Sequence, residues 1–129
     1  MSNDPLASAL SKILNRERLG KNDCLITPAS KEIKTVLTIL NENGYLGKFE
    51  ELTKARGGVL KVHLLNNINK CNVIKPRFSV KVQNLEKFEK RFLPAKNMGI
   101  IILTTPKGML IHTAARKQNT GGKLIAYCY

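Results

Sequence analysis

Gly99-Ile100-Ile101-Ile102-Leu103 is an uninterrupted apolar run, and it leads straight into polar turn chemistry at Thr104-Thr105-Pro106-Lys107-Gly108. β-Branched side chains favour extended backbone, and an apolar run without alternation reads as a strand covered on both faces. The segment that follows puts two hydroxyls, a rigid proline, a cation and a φ-permissive glycine on a tight connection, and Met109-Leu110-Ile111-His112 reads as the returning strand. A chain with this centre must build a sheet around it. Thr113-Ala114-Ala115-Arg116-Lys117 then reads as one helical turn capped by Thr113, and Asn119-Thr120-Gly121-Gly122 as a turn whose glycines let backbone approach a ligand closely. Hydroxyls, amides, exposed N–H groups and cations are the groups that bind a phosphate and ribose backbone.

The amino half predicts a compact α/β unit. Asp4 and Pro5 signal a helix start, and Leu6, Leu10, Ile13 and Leu14 recur at helical spacing; Arg16 and Arg18 complement the far end of the dipole before Gly20. Cys24-Leu25-Ile26-Thr27 reads as a strand stopped by Pro28. Ser30 caps a second helix with Ile33, Val36, Leu37 and Leu40 inward and Asn43-Gly44 as its stop. At that cap, Ser30, Lys31 and Lys34 make a small site suited to an anion, and equally an ordinary capped helix with two surface lysines. The residues alone leave both open. Strands at Tyr45–Leu52 and Val59–Leu65 enclose Gly57-Gly58 as a hairpin, with no phosphate-loop spacing around the glycines.

Asn66-Asn67-Ile68-Asn69-Lys70-Cys71-Asn72 is polar and turn-like, which divides the chain into an α/β domain over residues 1–66 and a mainly β, RNA-binding domain over 67–129. In the second, Phe78, Val80 and Val82 alternate as in a half-buried strand, and Leu85, Phe88 and Phe92 share a face of a short helix. Lys87, Lys90, Arg91 and Lys96 line its other sides as an ordinary solvated face. The remaining strand is Lys123–Tyr127. The predicted fold class is α+β, with two helices and three strands in the first half packed on a mainly antiparallel second half carrying one or two short helices.

Charge sharpens the functional reading. The 129 residues hold 22 Lys+Arg against 9 Asp+Glu, a formal charge of +13, and an excess of this size calls for an anionic partner. Residues 1–71 carry 11 bases and 7 acids, net +4, whereas 72–129 carry 11 bases and 2 acids, net +9. No run reaches the ~18 apolar residues of a membrane span, and the amino end lacks the pattern of a signal or transit peptide, so nucleic acid in the cytoplasm is favoured over a membrane surface. Cys24, Cys71 and Cys128 are odd in number, widely separated in sequence and without Cys-x-x-Cys spacing, which predicts free thiols, no metal and no cofactor. Catalysis has little support. A Cys–His pair would need His63 or His112 beside a cysteine, both histidines fall in strand patterns, and Glu50-Glu51 would point to opposite faces. With aromatics at 5% of residues, base stacking on single strands is disfavoured against recognition of folded RNA by backbone and shape.

The stretch Gly99-Ile-Ile-Ile-Leu-Thr-Thr-Pro-Lys-Gly-Met-Leu, with Ala115-Arg116 and Gly121-Gly122, resembles the signature of the ribosomal protein S-eight family of the small subunit. Asp4-Pro5-Leu6-Ala7, Pro28-Ala29-Ser30-Lys31, Glu42-Asn43-Gly44-Tyr45 and Tyr127-Cys128-Tyr129 fall in the family's order, so the resemblance spans essentially the whole chain. The segment from Lys75-Pro76-Arg77-Phe78 to Phe92-Leu93-Pro94 resembles the archaeal and eukaryotic branch. Thr104-Thr105-Pro106-Lys107-Gly108 departs from the bacterial Ser-Thr-Ser-Lys-Gly pattern by lacking the third hydroxyl.

The resemblance implies a structural constituent of the small ribosomal subunit, monomeric outside the ribosome, that binds a helical element of the central domain of small-subunit rRNA and supports assembly beside neighbouring proteins. It implies RNA contacts at Ser30, Lys31, Lys34, Thr104, Thr105, Pro106, Lys107, Gly108, Arg116, Asn119, Thr120, Gly121 and Gly122. The alternatives are repression of its own message through an rRNA-like site and, from another class, a small cytosolic Cys/His hydrolase.

Overall fold

Proline at the first helical position opens α1 (Pro5–Arg18), the first element of a computed structural model that describes residues 5–27, 29–53, 58–75, 77–95 and 98–129. The expected cap at Asp4, the stop at Pro28, the hairpin turn at Gly57 and the surface Lys96 lie outside these residues. The chain divides into two compact units, Met1–Asn69 and Lys70–Tyr129.

In the first unit, α1 and α2 (Lys31–Glu42) accompany a three-stranded antiparallel sheet ordered β1 (Asp23–Ile26), β3 (Val59–Leu64), β2 (Leu46–Thr53). Leu6, Leu10 and Ile13 of α1, Ile33, Val36, Leu37 and Leu40 of α2, and Cys24, Ile26, Leu46, Leu60 and Val62 of the sheet are buried together. Each such leucine or isoleucine contributes about 1.5–3 kcal/mol relative to an exposed one. The α1 stripe differs from expectation at one end. Leu14 is only partly buried, and the next place along Leu6, Leu10 and Ile13 is taken by Glu17, 5% exposed. Its Oε2 accepts a hydrogen bond from the Ile68 amide at 3.2 Å while Oε1 has no partner among the described residues. Burial pushes its carboxyl above the usual range, against the pull of backbone hydrogen bonds from Ile68 and Asn66.

The second unit is an antiparallel sheet ordered β4 (Cys71–Val73), β8 (Gly122–Cys128), β6 (Ile100–Thr105), β7 (Gly108–Ile111), with β5 (Ser79–Val80) also paired to β8. Two helices complete it, α3 (Leu85–Phe92) and α4 (His112–Lys117). Ile100 through Leu103 are all buried, as the unbroken apolar run demands. Ile74, Val80, Leu85, Leu93, Ile101, Leu103, Ala115, Leu124 and Tyr127 form the core, with Phe78, Phe88 and Phe92 packed against it. The α+β class, with helices beside an antiparallel sheet in the first unit and a mostly β second unit, is as the sequence predicts.

Three local expectations are corrected. The strand expected through Val82 stops at Val80, because β8 begins at Gly122, opposite Val80, and offers no partner beyond it; Val82–Asn84 winds instead into a 3-10 turn leading to α3. Thr113 does not cap α4, which starts at His112 with Ile111 at the cap position and no side-chain cap bond. His112 is therefore no strand residue but a buried one, drawn inward to serve the backbone of β6. Cys71 and Cys128, far apart in sequence, are direct cross-strand partners in β4 and β8, and both are buried. Among the described residues no helix is long and apolar enough to cross a membrane.

Candidate nucleic-acid interface

The turn between β6 and β7 is held by its own side chain. Thr105 pairs in register with Gly108, leaving Pro106 and Lys107 as the two-residue tip. The Thr105 hydroxyl donates to the Gly108 carbonyl at 2.7 Å and accepts from the Lys107 amide at 3.1 Å. One side chain thus closes the loop twice, and with Thr105 only 9% exposed its remaining lone pair faces little solvent. Gly108 sits at φ +108°, a conformation that L side chains rarely adopt, with open space where a β-carbon would be. Thr104, Pro106, Lys107 and Gly108 are exposed.

Antiparallel register then assembles a surface from four strands. Thr104 stands opposite Met109 on β7 and opposite Lys123 on β8, and Lys123 in turn stands opposite Ser79 on β5. Directly opposed residues share a sheet face. Ser79, Lys123 and Thr104, all exposed, therefore form a row of hydroxyl, ammonium and hydroxyl beside the stapled turn. Ser79, Val80, Lys81, Thr104, Thr105, Pro106, Gly122 and Lys123 line an open hollow of about 560 Å³ at this end of the sheet. Ser79, Lys81 and Lys123 are missed by the sequence reading. Nothing in their flanks marks them: strand register alone sets Ser79 and Lys123 in line with Thr104, and Lys81 joins them only in the lining of the hollow.

Gly121 and Gly122 make the row possible. A β-carbon at Gly121 would lie 2.4 Å from the Val80 carbonyl oxygen, so the two backbones meet with no room for a side chain. Asn119, at φ +52°, and Thr120 lead from α4 into β8, with the Asn119 and Thr120 amides bonded to the carbonyls of Arg116 and Ala115. These glycines bring backbone close to backbone.

Arg116 has a different setting. Its guanidinium is paired with the Glu89 carboxylate of α3, whose Oε1 also lies 3.7 Å from His112 Nε2. His112 Nδ1 accepts the Ile101 amide at 3.1 Å, which assigns the ring proton of the neutral imidazole to Nε2, toward Glu89. Burial lowers the pKa of His112; Glu89 opposes that shift and Arg116 adds to it. This trio ties α3 and α4 to the start of β6.

In the first unit, the Ser30 hydroxyl caps α2 by accepting the Ile33 amide at 3.3 Å. Lys31 is exposed, whereas the Lys34 ammonium is 2.5 Å from a carboxylate oxygen of Glu51 on β2. Of the two lysines at the cap, one has its charge answered within the fold. The hydrolase alternative finds no activated thiol at Cys24. It is buried, its pKa is raised chiefly by that burial, and its strand partner Val62 puts it on the face opposite His63.

The family model described as Ribosomal protein S8 matches residues 4–129. The chain is 52% identical over 126 residues to the small ribosomal subunit protein uS8 of the archaeon Methanococcoides burtonii, a match covering 98% of this chain and 97% of that one. Identity at this level over nearly the full length of both chains, with a family match from residue 4 to the last, leaves one assignment: the chain belongs to the ribosomal protein S8 family.

Proposed function

We propose that this protein is a structural constituent of the small ribosomal subunit in the cytoplasm, that it binds small-subunit rRNA directly, and that its second unit carries the principal contact. The observation that carries this is the row Ser79, Lys123 and Thr104 beside a turn stapled by Thr105. It is a rigid surface of hydroxyls and cations without an interleaved carboxylate, which suits a phosphate and ribose backbone held by shape. Thr104 and Ser79 hydrogen-bond ribose or base edges, Lys107, Lys81 and Lys123 meet phosphates, and Thr105, Gly108, Gly121 and Gly122 hold the shape. Ser30 and Lys31 add a peripheral contact from the first unit. The protein performs no chemistry, needs no cofactor, is monomeric when free and meets neighbouring small-subunit proteins in the particle. The target is a helical element of the central domain of small-subunit rRNA, and binding supports its assembly.

A chemical footprint of the purified protein on small-subunit rRNA tests this. Protection of one irregular helix, lost in Thr104→Ala and weakened in Lys107→Ala, is expected. No protected helix, or protection indifferent to both changes, would reject the assignment.

A further inference from the structure

The exposed side of α3 presents cationic and acidic side chains whose pairing sorts them. Glu86 answers Lys90 at 3.9 Å, and Glu89 is engaged by Arg116. Lys87 and Arg91 remain, and among the described residues neither has an acidic partner. They stand four residues apart, on one side of the helix and about 6 Å apart along its axis. With Gln83, Asn84, Glu86 and Lys90 they border an open hollow of about 570 Å³.

Arg91 is also pre-positioned. Its guanidinium carbon lies 5.7 Å from the centre of the Phe78 ring and 5.5 Å from that of Phe92. Both rings are anchored, Phe78 against Phe88 at 5.7 Å and Phe92 stacked on Tyr127 at 5.3 Å, so the platform under the guanidinium is continuous with the core. A solubilising arginine is mobile. A guanidinium laid over two fixed aromatic faces has given up rotamer freedom before any ligand arrives, and keeps its planar N–H edges for an incoming oxyanion. The helix dipole accounts for cations in the last turn but not for this stacking or for the missing carboxylate.

From this geometry we infer that Lys87 and Arg91 form a second phosphate-binding surface, which takes two backbone phosphates of a structured RNA and is separate from the Thr104 row. The inference rests on the proposed rRNA binding. It selects Lys87 and Arg91, from the three described cations Lys87, Lys90 and Arg91 on this helix, by their lack of an acidic partner among the described residues and by the aromatic seat of Arg91. Acidic protein is the rival occupant. A nucleic-acid strand is favoured because the unit carries its positive excess with only two acids after residue 71, both of them paired within the fold.

The test is the salt dependence with which the full-length protein binds a small-subunit rRNA transcript. Lys87→Gln/Arg91→Gln is expected to reduce the log–log slope by roughly 1.4–1.8, at about 0.7–0.9 for each phosphate no longer neutralised, and Lys90→Gln to leave it unchanged. Arg91→Lys keeps the charge and loses the stack, so the slope stays while affinity falls roughly two- to fivefold. A double variant with the parent's slope and affinity overturns the proposal, while Thr104→Ala still weakening binding shows that the first reading stands. A parent that holds the transcript no better than scrambled RNA overturns both. Polyglutamate is the second probe: loss of polyglutamate binding without loss of rRNA binding assigns the surface to acidic protein and also overturns the proposal. Should the double variant melt early, Lys87→Gln alone decides, since Lys87 stacks on no core ring and its slope must fall by about 0.7–0.9, the share of one phosphate.

Discussion

A β-carbon on Gly122 would lie 1.9 Å from the carbonyl oxygen of Thr104, so β6 and β8 approach there as only glycine permits. That approach lets Lys123 stand beside Thr104 and starts β8 where Ser79 and Val80 can still pair with it. Gly122→Ala must push the strands apart or bend one of them, and is expected to cost about 1–3 kcal/mol or more. Urea denaturation reads the cost, and an unchanged midpoint contradicts the packing described. Gly108→Ala meets no atom but holds a positive φ, so its cost is backbone strain of roughly 1–2 kcal/mol.

Thr104 and Thr105 are neighbours with opposite duties. Thr105→Ala removes both bonds of its hydroxyl across the turn and is expected to cost about 1–2 kcal/mol, with RNA affinity lost through loop shape. Thr104→Ala, at an exposed position, is expected to change stability by no more than about 0.5 kcal/mol while weakening cognate RNA more than an unrelated duplex. Thr105→Ser separates the two effects by restoring the hydroxyl. Equal loss of stability in Thr104→Ala and Thr105→Ala would contradict this division.

His112 makes the second unit sensitive to mild acid. Burial holds its pKa below the ordinary 6.5, so below that value the unfolded chain binds a proton that the folded one resists. Its contribution is complete above about pH 6.5 and is lost as pH falls from there through the lowered folded pKa. Protonation also removes the acceptor that holds the Ile101 amide. The expected result is a midpoint that falls between pH 7.5 and 5.5, with a smaller fall in His112→Asn, whose amide oxygen still accepts but does not titrate. The same fall in both would remove His112 as the cause.

Glu17 acts with the opposite sign. Its folded pKa lies above the ordinary 4.5, so the folded chain holds the proton more tightly, and stability declines as pH rises from 4.5 through the raised value. Glu17→Gln keeps an acceptor for the Ile68 amide without a buried charge. It is expected to be more stable than the parent at pH 7 and level with it at pH 4. Glu17→Ala orphans the Ile68 amide and should cost about 1–3 kcal/mol at both. A Gln variant less stable than the parent at pH 7 would show that the carboxylate is compensated.

Periodicity and local chemistry made much of the fold legible: the β6 run, the inward stripe of α2, the Ser30 cap and the glycine-bearing turn at Thr105–Gly108 are each determined by side chains close in sequence. Family membership was legible too, because its motifs are contiguous words spread over the whole chain. Val82 and His112 were misplaced, and Glu17 was passed over in favour of Leu14, because strand extent depends on where the partner strand begins and burial of a polar group depends on a distant backbone amide.

At the candidate interface, hydroxyls, cations and glycines at the turn and a strongly basic carboxyl half were determined by the sequence alone. Tertiary structure decided which of them are free. It turned the Thr105 hydroxyl inward, paired Lys34 with Glu51 and Arg116 with Glu89, and brought Ser79 and Lys123 to Thr104 by register. The physical reason is that a hydrogen bond or an ion pair is set by distance in space, and residues tens of positions apart become neighbours only once the strands have chosen their partners.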